Sequence, residues 1–440
     1  MSWNLVLRAL WGMALVLPLQ AAPLAHAASP APLSDDFSLL PPAERVMPVL
    51  AQLPSVRTAE AGIAAAQAGR DRLAAGPHEW SFKAGLNRRT DASGVRFAEQ
   101  EFGLETAVRW PGKVAADRQL GDVGLLAGQL ARADAWHEAG RSLLADWFDA
   151  LHQSRSAEVL TDQARLAAQQ LAVVQKRVQA GEAAQLDVLA AQADQARASA
   201  AAAQARTRAE ALARTLARRY PGLPALPTPS AWPEPPPVPS TPQNWVNRIL
   251  ADNHELELAE ALARQAQQRA ERATLEQRGD PTLGVRATRE PRGQEQLLGV
   301  YLSVPLGGAA RQADVALALA EADRAEQQLA QTRLKVETTA WQAANAAVDE
   351  RATWLQLEAA RQHTWRSAEL QARAYSLGEA PLADVLQARR VALEAILMAE
   401  MARLDALQSQ ARLWLDTHQL WALPEHDGPA ASPGAPGMPH

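Results

Sequence analysis

The chain repeats itself, and the repetition constrains it more than any other feature. The stretch GEAAQLDVLAAQ runs from Gly181 to Gln192, and GEAPLADVLQAR runs from Gly378 to Arg389. Each reads Gly-Glu-Ala, three variable residues, Asp-Val-Leu, one residue and Ala, and the two glycines stand 197 positions apart. The surroundings of the two motifs repeat as well. From Pro41 to Gly76, Val46, Leu50, Leu53, Val56 and Ile63 have roughly helical spacing, with Pro48 and Pro54 interrupting early. The period then changes. Trp80 to Asn87 and Glu101 to Trp110 alternate apolar with polar or small residues on either side of a Thr90–Gly94 loop, which predicts a β-hairpin ended by Pro111-Gly112.

Helical spacing returns from Ala115 to Ala180, with Leu143, Trp147 and Leu151 one turn apart. An unbroken helix of that length would be a rod of about 100 Å. Gly181 interrupts it, and a second helix reaches Arg219, where Tyr220-Pro221-Gly222 stops it. Leu223 to Pro242 is too rich in proline for helix or sheet and reads as an extended linker. Beyond it the programme starts again: helix from Asn244 to Arg278, alternation over Thr282–Arg289 and Gln296–Leu306, helix from Arg311 to Leu377, the break at Gly378, and helix to His418. Gly103 and Gly299, 196 positions apart, agree with that offset to within one residue. The predicted fold is mainly α with a membrane β-barrel, made of a duplicated helix-hairpin-helix-turn-helix unit. Residues 28–222 form the first repeat, 223–243 the linker, 244–423 the second repeat, and 424–440 a disordered tail rich in Pro, Gly and Ala.

Ala is heavily used while Phe and Tyr are scarce, so helices that pack closely along their length are expected in place of a thick core of large side chains. The net charge of -5 with interspersed signs leaves no basic footprint for nucleic acid. At the N-terminus, Arg8 precedes an apolar run to Leu19, and Ala25-His26-Ala27 offers small residues to a signal peptidase. Residues 1–27 therefore read as a cleaved secretory signal, with an uncleaved anchor as the alternative. The chain has no cysteine, which excludes disulfides, thiol chemistry and lipidation through an N-terminal Cys.

Strands of 8 to 11 residues are long enough to cross an outer membrane when tilted. Their apolar faces would meet lipid, while Lys83, Asn87, Glu101, Glu105, Arg109, Arg286 and Ser303 would face a wet lumen. Trp80 and Trp110 fall at the open end of one hairpin, where an interfacial aromatic girdle would sit. Alternation alone also fits a soluble β-subdomain. If the strands do enter lipid, four cannot close a barrel, because known membrane barrels need at least about 8, so the chain must then oligomerise.

The duplicated unit, the paired GEAxxxDVL turns, VRWPGK after the second strand and VPLGG after the fourth together resemble the TolC family of outer-membrane efflux channels. The likeness covers about Leu40 to Leu423, and Pro111 to Lys113 is similar to the heavy-metal (cobalt-zinc-cadmium) branch. The resemblance implies a homotrimer with a twelve-stranded barrel in outer-membrane lipid, continuous with a helical tunnel in the periplasm. Such a channel works with a periplasmic adaptor (membrane fusion protein) and an inner-membrane pump of the resistance-nodulation-division type. It implies that Gly181, Glu182, Ala183, Leu186 and Asp187 form one adaptor-docking tip, and Gly378, Glu379, Ala380, Leu382 and Asp384 the other. Glycine would permit the reversal, Glu and Asp would sit in the first turn of the returning helix, and Leu186 or Leu189 would pack the hairpin. For any single residue, Glu182 and Asp187 are equally readable as helix-start charges.

Some family members place a second carboxylate one turn after the Asp to ring the channel entrance. Here Gln387 and Ala190 hold that position, leaving Asp384 to act alone. Members of the metal branch are often lipidated through a Cys, so without one membrane retention would rest on the barrel.

His78, His137, His152, His254, His363 and His418 are spread along the chain without metal-ligand spacing, so neither a metal nor a catalytic centre is expected. There is no P-loop or dinucleotide fingerprint, which points to a passive duct without cofactor whose energy comes from a partner. A periplasmic coiled-coil adaptor or scaffold that never enters a bilayer is the alternative.

Overall fold

A computed structural model describes residues 38–90, 92–289 and 296–423. The expected signal at 1–27 and tail at 424–440 lie outside the described residues. Six elements are followed by six more in the same order. The first set is α1 (Ala43–Gln52), α2 (Pro54–Ala75), β1 (Ser81–Thr90), β2 (Arg96–Ala107), α3 (Pro111–Gln179) and α4 (Gln185–Arg219). The second is α5 (Pro242–Ala251), α6 (His254–Glu276), β3 (Thr282–Arg289), β4 (Gln296–Ser303), α7 (Ala309–Ser376) and α8 (Leu382–Asp416). The long helices α3 and α7 have 69 and 68 residues, and each folds back on a 35-residue partner. At 1.5 Å per residue, α3 carries the chain about 100 Å from the sheet to the turn at Gly181. No helix among the described residues is long and apolar enough to cross a membrane.

The four strands make one antiparallel sheet in the order β1-β2-β3-β4. The two hairpins therefore meet through β2 and β3, with β1 and β4 as edges. Along the rods, alanines such as Ala202, Ala205, Ala344, Ala347, Ala399 and Ala406 are buried, as closely packed helices require. The large side chains are not absent, as composition suggested, but concentrated. Trp136, Trp147, Phe148 and Leu151 from the middle of α3 pack with Val46 and Leu50 of α1, Leu404 and Leu407 of α8, and Trp421. Trp245 and Ile249 of α5 pack on Ala340, Ala344 and Leu413 in a second patch. The short helices thus thicken the rod midway along its length, and the aromatic residues are spent there. The proline-rich segment before α5 has neither helix nor strand over 223–241, and it lies against this band: Arg351 Nε donates to the Pro235 carbonyl at 3.1 Å and Gln410 Nε2 to that of Pro236 at 2.9 Å.

Element boundaries differ from the sequence reading for local reasons. Pro48 lies inside α1 without breaking it, because it is on the exposed side, where water can satisfy the carbonyl it leaves unpaired. The break comes at Leu53, held extended by Pro54, which starts α2. The single helix expected over Asn244–Arg278 is two, because Asn253 accepts from Leu256 N at 3.0 Å and so caps the start of α6. β2 ends at Ala107 and β4 at Ser303, each three residues earlier than the alternation suggests.

Candidate functional site: a two-faced sheet, its junction and a double-turn tip

Register decides which side chains share a face. Phe82 opposes Leu104, Ala84 opposes Phe102, Leu104 opposes Val285, and Val285 opposes Val300. One face is thereby apolar from edge to edge, with Phe82 and Phe102 stacked at 6.4 Å between centroids. In the single chain this face is bare: Leu86, Leu298 and Val300 are each more than 80% exposed (81, 82 and 84%). Contiguous apolar surface of this extent is uncommon on a protein surrounded by water.

The other face is polar and knitted by ions. Lys83 pairs with Glu105 at 2.6 Å, Arg286 with Glu101 at 3.7 Å, Asn87 donates to Glu101 at 3.1 Å, and the Tyr301 hydroxyl donates to Glu105. Ser303 lies on the same face, opposite Thr282, while Leu297 interrupts its polarity. Six of the seven residues read as lumenal therefore share one face. Arg109 does not. It has left the strand, and its guanidinium caps the C-terminus of α2 by donating to the carbonyls of Leu73 and Ala74, both at 2.8 Å, and to Asp117 at 2.8 Å.

Arg109 belongs to a charged junction where both hairpins join the rods. Asp117, almost fully buried, also accepts from Arg272 Nε at 2.6 Å. Arg272 pairs with Glu276, which lies 3.1 Å from Lys113 Nζ. Lys113, 1% exposed, reaches Asp280 at 2.8 Å in off-line geometry, an ion pair more than an aligned hydrogen bond, and Asp280 meets His78 Nε2 at 2.8 Å. Burial alone would push the Asp280 carboxyl up, but the Lys113 ammonium and His78 beside it outweigh that and hold the group below its ordinary value. The VRWPGK stretch thus has a division of labour. Arg109 caps α2, Trp110 Nε1 donates to the Gly279 carbonyl at 3.0 Å, Pro111 starts α3, and Lys113 anchors the junction. The pairing of Lys113 with Asp280 is not legible in the motif, since nothing in one sequence pairs residues so far apart. Trp80 and Trp110 both stand at this end of the sheet, 69% and 46% exposed.

At the far end of the rods, the two glycines close identical turns. Gly181 N donates to Val178 O and Glu182 N to Arg177 O; Gly378 N donates to Tyr375 O and Glu379 N to Ala374 O. Both are Schellman motifs, with the glycines at φ 77° and 81°. Val174 of α3, Val188 and Ala191 of α4, Tyr375 of α7, and Leu382, Val385 and Leu386 of α8 form a small core across the two hairpins. Arg177 fastens it, donating to the Tyr375 carbonyl at 2.8 Å with its guanidinium 4.6 Å from the Tyr375 ring centre.

Asp187 and Asp384 lie in the first turns of α4 and α8 as expected. Glu182 and Glu379 do not: each is the turn residue after the glycine, outside the helix. The first tip is packed by Val188 and not by Leu186 or Leu189, which are 72% and 57% exposed, because α4 turns Val188 toward the core of the tip. Ala183 and Ala380 are half-buried in the turns, and Asp384 and Gln387 are exposed on the outer side of α8. A Cβ built on Gly378 meets nothing within 4 Å, so only its backbone conformation constrains the position. Gly378→Asn is therefore expected to leave the turn intact, while Gly378→Val loosens it by about 1–2 kcal/mol. Hydrogen exchange at the Glu379 amide measures this, and equal protection in the two variants would contradict it.

The histidines that look spread in sequence are partly gathered in space. His137 on α3, His254 at the start of α6 and His418 just after α8 have ring centres 5.1 Å (His137–His418), 4.5 Å (His254–His418) and 6.4 Å (His137–His254) apart. Helix ends converge on the thick middle band, and linear spacing carries no trace of that. His137 Nε2 lies 3.2 Å from Asp416, which also accepts from Arg141 at 2.9 Å and from Arg412 at 2.7 Å. Despite burial, the hydrogen bond with His137 and the guanidiniums of Arg141 and Arg412 hold the Asp416 carboxyl far below its ordinary value. Burial and the neighbouring His254 and His137 lower the His418 pKa.

Among solved structures, the outer membrane protein VceC from Vibrio cholerae superposes with a TM-score of 0.70 at 16% identity, over 85% of this chain and 95% of that one. The Neisseria gonorrhoeae MtrE outer membrane channel, in its open state, gives 0.69 at 16% identity over 86% and 89%. The Campylobacter jejuni CmeC outer membrane channel gives 0.67 at 15% over 88% and 86%. No protein-family model and no curated protein matches the chain. The fold is that of these outer-membrane channels, as the resemblance to the TolC family implied.

Proposed function

We propose that this protein is the outer-membrane channel of a tripartite efflux system, a passive duct from the periplasm to the exterior for metal cations or small toxic compounds. The two sets of six elements are copies of one unit. Three chains contribute twelve strands to a barrel whose polar face lines the lumen, and the paired rods continue it as a periplasmic tunnel. The leader at 1–27 is removed on export, residues 223–243 link the repeats, and Trp80 and Trp110 sit at the inner membrane-water interface. The tips at Gly181–Asp187 and Gly378–Asp384 dock a periplasmic adaptor that couples the duct to an inner-membrane pump, and Asp384 and Gln387 flank the entrance.

The observation that carries this reading is the sheet. Its apolar face is exposed across all four strands, and β1 and β4 are open edges. Lipid against that face and neighbouring chains along those edges satisfy both. An adaptor that stays in water gains nothing from such a face. Expressed with its own leader, the protein is expected in the outer-membrane fraction, to need detergent, to sediment as a trimer and to conduct ions in a planar bilayer. A soluble monomer obtained without detergent would overturn the proposal.

A further inference from the structure

We infer that Asp252, His254 and His418 form a binding site for a divalent cation of the zinc class. One ligand atom from each of the three residues lies within 4.8 Å of the other two. A tetrahedral ion with bonds of about 2.0–2.1 Å holds its ligands about 3.4 Å apart, so small side-chain rotations close the set. Two imidazoles and a carboxylate make a donor set suited to zinc and its neighbours, and poorly suited to magnesium or calcium.

Four further observations point the same way. Both ring nitrogens of His418 are buried without a hydrogen-bond partner, although Nδ1 stands 3.2 Å from Asp252 Oδ2 in poor alignment. An imidazole buried in that state loses its water contacts and gains nothing in return, and a metal bond would restore one. His418 also has φ 57°. It closes α8 with the same pair of bonds that Gly181 and Gly378 make, His418 N to Leu415 O and Gln419 N to Trp414 O. Of these three turns among the described residues, two use glycine, the residue that fits, and the third bears the strain of a left-handed imidazole. Finally, the three residues border a cleft of about 790 Å³, also lined by Glu60, Gln129 and Arg132, which supplies an entry path and an open coordination position. Glu257 lies 3.3 Å from His254 Nδ1, the relation by which an outer carboxylate orients a ligating imidazole and leaves Nε2 for the metal.

Such an ion would staple the α5–α6 break to the end of α8 in the thick band, far along the rods from the tips. Its role is a clamp, separate from whatever the duct carries, and it stands whether or not the channel reading does. The test uses the full chain in detergent, stripped with EDTA and then dialysed against Zn²⁺. One ion per chain is expected, with a rise in melting temperature of about 3–5 °C at a hundredfold excess over Kd. His254→Ala and His418→Asn should each weaken binding by at least about 10–100-fold, the loss seen even for outer-shell partners, while His363→Ala, on an exposed position, leaves it unchanged. Asn tolerates the left-handed backbone at 418; if that variant still fails to melt like the parent in EDTA, His254→Ala alone decides. Absence of saturable binding, or binding that His254→Ala leaves intact (adventitious zinc only), overturns the inference.

Discussion

Val300→Arg is expected to keep the protein out of the outer membrane, while Leu297→Arg, three residues earlier on the same strand, assembles normally. Leu297 and Val300 are both exposed in the single chain, so solvent exposure does not distinguish them; the face does. Val300 opposes Val285 on the apolar face, and Leu297 opposes Thr288 on the face shared with Lys83 and Glu101. Arginine on the lipid side of a membrane strand costs about 2–4 kcal/mol near the midplane. In a trimer three copies enter together, about 6–12 kcal/mol, comparable to the whole stability of an ordinary domain. The yield of folded trimer in the outer-membrane fraction reads the effect. Equal assembly of both variants, or equal failure of both, would mean that the two faces of the sheet do not meet different media.

Lys113→Met should be the most damaging change outside the strands. The side chain is buried between Asp280 and Glu276, and removing it leaves a buried carboxylate without its main cation. Breaking a buried pair from one side costs about 3–5 kcal/mol. His78 still touches Asp280, and Arg272 still holds Glu276, so the lower part of that range is expected. The double variant Lys113→Met with Asp280→Asn should recover much of the loss, because the stranded charge goes with its partner. Thermal denaturation of the detergent-solubilised protein measures both. A Lys113→Met protein that melts with the parent would show that the junction is held by packing alone.

Much of the architecture was legible because it rests on periodicity. The switch from helical to alternating spacing at Trp80 and the glycines at 181 and 378 are local signals, and the structure has its rods, hairpins and turns close to where they fall. Most of the misses depend on contacts distant in sequence or on how a helix is turned. Arg109 continues the alternation of β2 on paper, yet carbonyls at the end of α2 capture it. Leu186 and Leu189 look like the packing residues of the first tip until the rotation of α4 turns Val188 inward. The break at Asn253 could have been found, since Asp-Asn-His-Glu offers an N-cap followed by helix-start residues. The meeting of His137, His254 and His418 could not, because it depends on which helix ends converge in the thick band.

The two tips close with the same hydrogen bonds but do not present the same surface. At matched positions the first carries Gln185 and an exposed Leu189, and the second carries Leu382 and Leu386, both buried. Seen end-on, a closed ring of three such chains would alternate hairpins that display leucine with hairpins that conceal it. The backbone of that ring would be nearly sixfold, its chemistry only threefold. A partner built from six equivalent arms would meet two kinds of contact, so its arms would have to bind unequally or recognise only alternate hairpins.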